Sequence, residues 1–143
     1  MGPSAAPMKL ALDHLVVAAR TLAEGTQWCE ATLGVPPGQG GRHTLFGTHN
    51  ALVVFADGAY LELIAFLRPH PSHRWGGHAA RGHSGFVDFA LLPSSVGAVV
   101  ADANSRGLAY TGPFDGGRLR PDGEHLVWQM GLPPAPELPF LCG

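Results

Sequence analysis

One ten-residue pattern occurs twice in this chain. Residues 40–49 read GGRHTLFGTH and residues 116–125 read GGRLRPDGEH. Gly40, Gly41, Arg42, Gly47 and His49 thus return 76 positions later as Gly116, Gly117, Arg118, Gly123 and His125. Self-similarity at a fixed period marks one supersecondary unit used twice. The flanks agree. The apolar run from Leu10 to Ala19 and a helical stretch ending near Gly34 precede the first copy. Phe86 to Leu92 and a helical stretch ending near Gly107 precede the second, at offsets of 73 or 74, so one short gap aligns the halves. A further apolar strand follows each copy, at 59–66 and 138–142. Each half therefore reads strand, helix, strand, strand, strand.

Local signals fix the elements. In 21–33, Glu24 stands three residues after Thr21, a capping-box spacing, and Gly34 follows as a C′ residue, which predicts an amphipathic helix despite Gly25. Residues 94–107 predict a second helix, with Ser94 or Ser95 as N-cap and Gly107 as C′. VPPGQGG at 35–41 reads as loop, followed by a hairpin around 47–50. Residues 111–133 read as a hairpin turning at Pro121-Asp122-Gly123. In 59–66 the period-two rule sets Tyr60, Glu62 and Ile64 on one face, and Leu61, Leu63 and Ala65 on the other. The polar stretch 67–84, with His70, His73, His78 and His83, is expected to be a solvated linker between unit one (9–66) and unit two (85–143).

Composition bounds the function. A hydrophobic content of 45% supports a core, and 143 residues suit one domain or two halves sharing it. The net charge of −2 gives no electrostatic case for nucleic acid. No run approaches the roughly 20 apolar residues of a membrane span. The opening MGPSAAPM lacks a charged n-region with an apolar run behind it, so residues 1–8 are read as a flexible tail, not a signal peptide. Two cysteines, Cys29 and Cys142, make no disulfide framework and are read as free thiols of a cytoplasmic protein. Ending on LPFLCG, within an apolar run, the chain is expected to continue past Gly143 in its native form. No P-loop, dinucleotide fingerprint, GxSxG or HExxH is present, so no nucleotide cofactor is expected.

The tandem strand-helix-three-strand units, with LDHLVVAA (12–19), GGRHTLFGTHNAL (40–52), YLELIAF (60–66) and LPFL (138–141), resemble the vicinal oxygen chelate superfamily, and within it the glyoxalase-like domain proteins. That superfamily includes glyoxalase I, extradiol dioxygenases and antibiotic-binding resistance proteins. The resemblance implies an α+β fold: tandem βαβββ units forming a curved mixed β-sheet half-barrel with helices packed outside. It also implies a cleft holding a divalent metal (Zn, Fe, Mn or Ni), with ligands from the first and last strands of each unit. Carried over, His14 and Glu62 are the ligands of the first unit. Both interrupt apolar strands, and a neutral imidazole with a carboxylate suits these metals. In the second unit Asp88 matches His14, whereas Leu138 or Phe140 matches Glu62 and cannot bind metal. A facial triad of His14, Glu62 and Asp88 is the metal site so implied, with His49 or a partner chain as a further source of ligands.

Each residue has a plainer reading beside this one. His14 can be a core histidine donating to Asp13 or to a backbone carbonyl, or a base without metal. Glu62 can be partnered by an arginine, and Asp88 by Arg42 or Arg118. His43 and His49 flank a hairpin tip, where a structural role is common. Arg42 and Arg118 are the candidates for a substrate carboxylate; an exposed strand-edge charge fits them equally. Tyr60 and Trp128 are candidate substrate contacts, and apolar Trp128, Met130, Phe89 and Ile64 would shape a cleft for a small, partly apolar ligand. Two functions follow from the resemblance: a metal-dependent lyase, isomerase or dioxygenase acting on vicinal oxygens, or a binding protein without chemistry. A homodimer is expected from the same resemblance. A third reading is a dimerisation module whose clefts are filled by side chains.

Overall fold

In the computed structural model, which describes residues 9–43, 47–82 and 84–143, eight strands close into one mixed barrel with helices against its outside. The expected tail, residues 1–8, and His83 of the expected linker lie outside the described residues. The order along the chain is β1 (Ala11–Ala19), α1 (Leu22–Leu33), β2 (Gly38–His43), β3 (Thr48–Val54) and β4 (Tyr60–Phe66). Then come α2 (Gly76–Ala80), β5 (Gly85–Leu92), α3 (Val96–Ser105), β6 (Thr111–Leu119), β7 (His125–Leu132) and β8 (Phe140–Cys142). Around the barrel the order is β1-β4-β3-β2-β6-β7-β8-β5. The two repeats thus form two contiguous arcs. They join along the antiparallel β1–β5 pair on one side and at a single pair, Arg42↔Leu119, between β2 and β6 on the other.

The α+β class and the curved mixed sheet match the expectation; the open half-barrel does not. Gly41 supplies the physical reason. A Cβ there would sit 2.2 Å from the Leu119 carbonyl oxygen, so only glycine lets β2 approach β6 closely enough to shut the seam. The segment expected as loop at 35–41 likewise becomes strand from Gly38 onward, zipped onto β3 through Gly38↔Leu52 and Gln39↔Ala51. Thr48, His49 and Asn50, expected at the hairpin tip, also belong to β3.

Both helices begin as their caps predict. The Thr21 side chain accepts from Glu24 N–H, and Gly34 closes α1 with φ 75°. Ser95 accepts from Ala98 N–H at the start of α3. Helix α1 covers the outer face of β1, β3 and β4, burying Cys29 against Val17, Leu61 and Leu63. Helix α3 covers β6 and β7, where Val96 and Val100 meet Tyr110 and Leu141. With Leu61 and Leu63 committed outward, the alternation of β4 sends Tyr60, Glu62 and Ile64 inward. Among the described residues no helix is long and apolar enough to cross a membrane.

The segment between the arcs is exposed over 67–72, as a solvated linker would be, but from His73 onward it folds over the barrel as a cap. It contains α2, which the sequence did not predict, and it turns His73, Arg74 and Trp75 toward the barrel interior. Phe66, His70 and His73 meet edge to face, with Phe66 and His73 centroids 4.9 Å apart, and Trp75 lies tilted against His73. Burial, with His70 and Arg74 beside it, pushes the His73 imidazole down to about 4. Between that value and the ordinary 6.5, the unfolded chain binds a proton that the folded chain refuses. His73 is therefore expected to contribute full stability above about pH 6.5 and to lose it as pH falls toward 4. Urea unfolding midpoints across that range should drop less steeply in His73→Phe than in the parent chain; equal slopes would remove His73 from the account.

Candidate functional site

The barrel encloses a cavity of about 850 Å³, within the size range of small-molecule sites. Its two sides differ in chemistry. The first arc contributes Asp13, His14, His43, Asn50, Tyr60 and Glu62, while the second contributes mainly Phe114, Leu126, Trp128, Met130 and Leu132, with Arg118.

His14 is placed by β1 and fixed from three sides. The β1–β5 register slips between Leu12 and His14, so Asp13 is the extra residue of a bulge. Two consecutive side chains then face the cavity, as bulges near functional sites commonly allow. His14 Nδ1–H donates to Asp13 Oδ2 at 2.6 Å. Its ring stacks on Tyr60 at 4.6 Å and meets the Phe140 ring edge-on at 5.4 Å. A neutral imidazole with Nδ1 protonated presents the Nε2 lone pair, and that atom stands 3.6 Å from Glu62 Oε1. The donation from His14 to Asp13 is the plainer reading of His14 from the sequence; the facing carboxylate is what the metal reading requires.

Glu62 is 7% exposed and held at its other oxygen. Asn50 Nδ2–H donates to Oε2 at 2.7 Å, and Gly41 N–H donates to Asn50 Oδ1 at 2.8 Å, which fixes the orientation of the amide. His43 Nε2 lies 3.5 Å from the same Oε2. His43 Nδ1–H donates to Thr48 Oγ1 at 2.6 Å, so Nε2 is free to accept from Asn50. Burial pushes the His43 imidazole below its ordinary value despite the pull of Glu62. The sequence alone places His43 beside a hairpin tip and gives Asn50 no part in the site. The signal was the period-two alternation in β2 and β3, hidden because the strand ends were misplaced.

The repeated glycines make room inside the barrel. A Cβ at Gly40 would lie 2.0 Å from Asn50 Oδ1 and 2.4 Å from the Asn50 carbonyl oxygen. At the matching place in the second arc, a Cβ at Gly116 would lie 2.4 Å from Trp128 Nε1. The same gap thus admits an amide in one unit and an indole in the other.

Of the other predicted residues, Tyr60, Arg118 and Trp128 line the cavity, whereas Arg42 does not. With His43 facing inward, strand alternation sends Arg42 outward, where it is exposed. Asp88 is engaged by the cap: Arg74 Nη2 lies 2.7 Å from Oδ2, and Trp75 Nε1–H donates to the same oxygen at 2.8 Å. Burial raises the Asp88 carboxyl, with Trp75, Arg74 and the Phe89 N–H opposing. His49 pairs with Arg42 across β2–β3 and is half-buried. Phe89 is 37% exposed and no part of the cavity wall.

A divalent cation sets the spacing of its donor atoms. A nitrogen and an oxygen bound to one tetrahedral zinc lie about 3.4 Å apart, given metal–ligand bonds near 2.1 Å. The gap between His14 Nε2 and Glu62 Oε1 is close to this. Asp13 on the far nitrogen is the support such a histidine usually has. The pair therefore fits a metal, with His43 Nε2 as a neighbouring donor across the carboxylate. A second grouping, Asp13, His14 and Cys142, has donor atoms within 4.8 Å of one another. There Asp13 is already committed to His14, and burial with the nearby Asp13 and Glu62 carboxylates pushes the Cys142 thiol up to about 12. Cys142, given no role from the sequence, stands as a neutral thiol in the cavity wall.

Comparison with known proteins agrees with the architecture. A family model described as a glyoxalase-like domain matches residues 12–143. No curated protein sequence matches the chain. Among solved structures, a hypothetical protein from Staphylococcus aureus shares 20% identity at a TM-score of 0.74. That alignment covers 94% of this chain and 58% of the other, so the chain spans little more than half of that protein. Methylmalonyl-CoA epimerase from Mycobacterium tuberculosis shares 18% identity at a TM-score of 0.65, over 92% of this chain and 84% of that one. Methylmalonyl-CoA epimerase from Streptomyces coelicolor, in complex with 2-nitronate-propionyl-CoA, shares 21% identity at 0.65, over 92% and 94%. At these identities the likeness is one of fold.

Proposed function

The chain belongs to the glyoxalase-like domain family of the vicinal oxygen chelate superfamily, and from that premise we propose that its barrel cavity is a metal-assisted catalytic site for a small, largely apolar molecule bearing neighbouring oxygens. The observation that carries this reading is the pair His14 Nε2 and Glu62 Oε1, facing each other across 3.6 Å on the polar side of a cavity whose other side is mainly apolar. Facing acceptors are stable when a cation or a shared proton lies between them.

His14 and Glu62 would hold a divalent metal, which when bound supplies Lewis-acid polarisation of a substrate oxygen. The chain's own groups do the rest. Asp13 keeps the His14 proton on Nδ1 and so keeps Nε2 directed inward. Asn50 fixes Glu62 Oε2, leaving Oε1 for the reaction centre. His43, neutral and within reach of Glu62, is assigned to take a proton from a substrate carbon and return it, giving up the Asn50 hydrogen bond at Nε2 as it does so. Arg118, Tyr60 and Trp128 are assigned to the ligand, and the apolar second arc excludes water, which strengthens every charge interaction within. Asp88, engaged by Arg74 and Trp75, is assigned to the cap rather than to the metal. The homodimer, the cytoplasmic setting and the division into two units with a short tail belong to the same proposal.

A specific observation favours the second reading, a protein that binds without chemistry. The Phe140 ring stands beside His14, where a second-unit ligand is expected, and it cannot coordinate. The two readings separate in one experiment. The protein is incubated with Zn²⁺, Mn²⁺ or Ni²⁺ and a panel of α-hydroxyketones, hemithioacetals and catechols, and conversion is followed by NMR. Catalysis predicts turnover that falls by about a hundredfold or more in Glu62→Gln. Binding without turnover across the panel would favour the second reading.

A further inference from the structure

The repeat divides the barrel interior by chemistry, and that division says what kind of molecule fits. In the first arc the glycine gap at Gly40 admits the Asn50 amide, which braces Glu62. In the second arc the gap at Gly116 admits the Trp128 indole, which lies flat along β6. Trp128 continues into Met130 and Leu132 on β7, with Phe114 opposite on β6, so this wall is broad and apolar. A flat apolar wall recovers most from a flat apolar ligand, at roughly 25 cal/mol per Å² buried.

Charge supplies the second half. Two arginines line the cavity. Arg74 is paired with Asp88. Arg118 has no carboxylate within ion-pair distance among the described residues, although it is only partly exposed. Its Nη1 would lie 3.2 Å from a Cβ at Gly41, the residue whose N–H holds Asn50. Arg118 therefore stands beside the polar network, at its border with the apolar wall. A guanidinium there is matched by one carboxylate, which it binds through two parallel N–H donors. Among the described residues, the exposed part of the lining adds no further unpaired cation: Leu92 and Phe114 are 43% and 45% exposed there, Asp115 follows Phe114, and Arg74 is held by Asp88.

We infer that the ligand is a flat, apolar monocarboxylate, aromatic in its body, with its carboxylate on Arg118 and its ring against Trp128, rather than a polyphosphorylated thioester. This rests on the reading of the cavity as a small-molecule site and deepens it by naming the ligand class.

Calorimetric titration of the full chain with four probes tests it: 1-naphthylacetate, 1-naphthylacetamide, acetate and propionyl-CoA. The expected result is that naphthylacetate binds at least tenfold more tightly than each of the other three. Arg118→Gln should erase the preference for acid over amide while keeping the naphthyl preference, and Trp128→Ala should do the reverse. The acid-to-amide comparison in the parent chain stands without any variant, so a variant that fails to fold does not shelter the inference. Equal affinity for acid and amide would overturn the anion assignment, and equal affinity for acetate and naphthylacetate the apolar one. Tightest binding by propionyl-CoA would overturn the ligand class. Each of these leaves the small-molecule site standing, whereas heat from none of the four would overturn the inference and the site together.

Discussion

Gly40→Ala is expected to lower the unfolding free energy by about 3 kcal/mol, while Gly38→Ala, two residues earlier in the same strand, changes it by less than about 0.5 kcal/mol. The contrast follows from what each new methyl group meets. At Gly38 it would rest 3.5 Å from the Leu52 carbonyl oxygen, an ordinary contact. At Gly40 it would enter the Asn50 side chain and the Asn50 carbonyl, and the backbone atom belongs to a paired central strand that cannot swing away. Relief would require β2 to part from β3 or Asn50 to leave Glu62. Either way the damage reaches the site, so Gly40→Ala should lose metal or ligand binding even where the variant remains folded. Paired urea titrations read the stability difference; equal stability of the two variants would show that the gap at Gly40 is not a structural requirement.

Asp13→Ala is expected to weaken Zn²⁺ binding roughly ten- to a hundredfold with little loss of fold. Asp13 makes no direct demand on the barrel pairing, because it is the unpaired residue of the β1 bulge. Its hydrogen bond to His14 Nδ1 keeps the lone pair of Nε2 directed at Glu62. Without it, stacking on Tyr60 still holds the ring plane, but either nitrogen can carry the proton. Competition against a chromophoric chelator measures the change. Unaltered affinity would show that Asp13 serves folding alone.

What could be read from the sequence was what local rules govern. Thr21, Ser95, Gly34 and Gly107 mark helix ends through their own backbone and side-chain chemistry, and the alternation in 59–66 separates Glu62 from Leu61 and Leu63. His14 and Glu62 stood out because an ionisable group in an apolar strand needs a partner. What escaped depends on partners remote in sequence. Gly38–Gly41 looked like a loop because glycine is the commonest loop residue, and its real function is set by Asn50 and Leu119, which only the fold brings near. The barrel was expected open because nothing local reveals that Gly41 shuts it. His43 escapes because the sequence starts its strand at Arg42 and runs it on to the hairpin tip, whereas β2 begins at Gly38 and ends at His43. The histidine-rich stretch looked solvated by composition, yet Asp88 on β5 draws Arg74 and Trp75 over the barrel end. Arg42 and Arg118 are equivalent in the repeat, yet β2 has a register shift between Gln39 and Arg42 that β6 lacks at 116–119, and one arginine faces solvent while the other lines the cavity.

The central claim is that His14 and Glu62 form a metal seat inside the barrel. Elemental analysis of the purified protein, beside the double variant His14→Ala/Glu62→Ala, tests it most directly. The account predicts close to one equivalent of a divalent transition metal in the parent chain, as isolated or after offering Ni²⁺, Zn²⁺, Mn²⁺ and Fe²⁺, and its loss in a double variant that keeps its circular dichroism spectrum. A parent chain that takes up none of these metals, or a double variant that retains its metal, would contradict it.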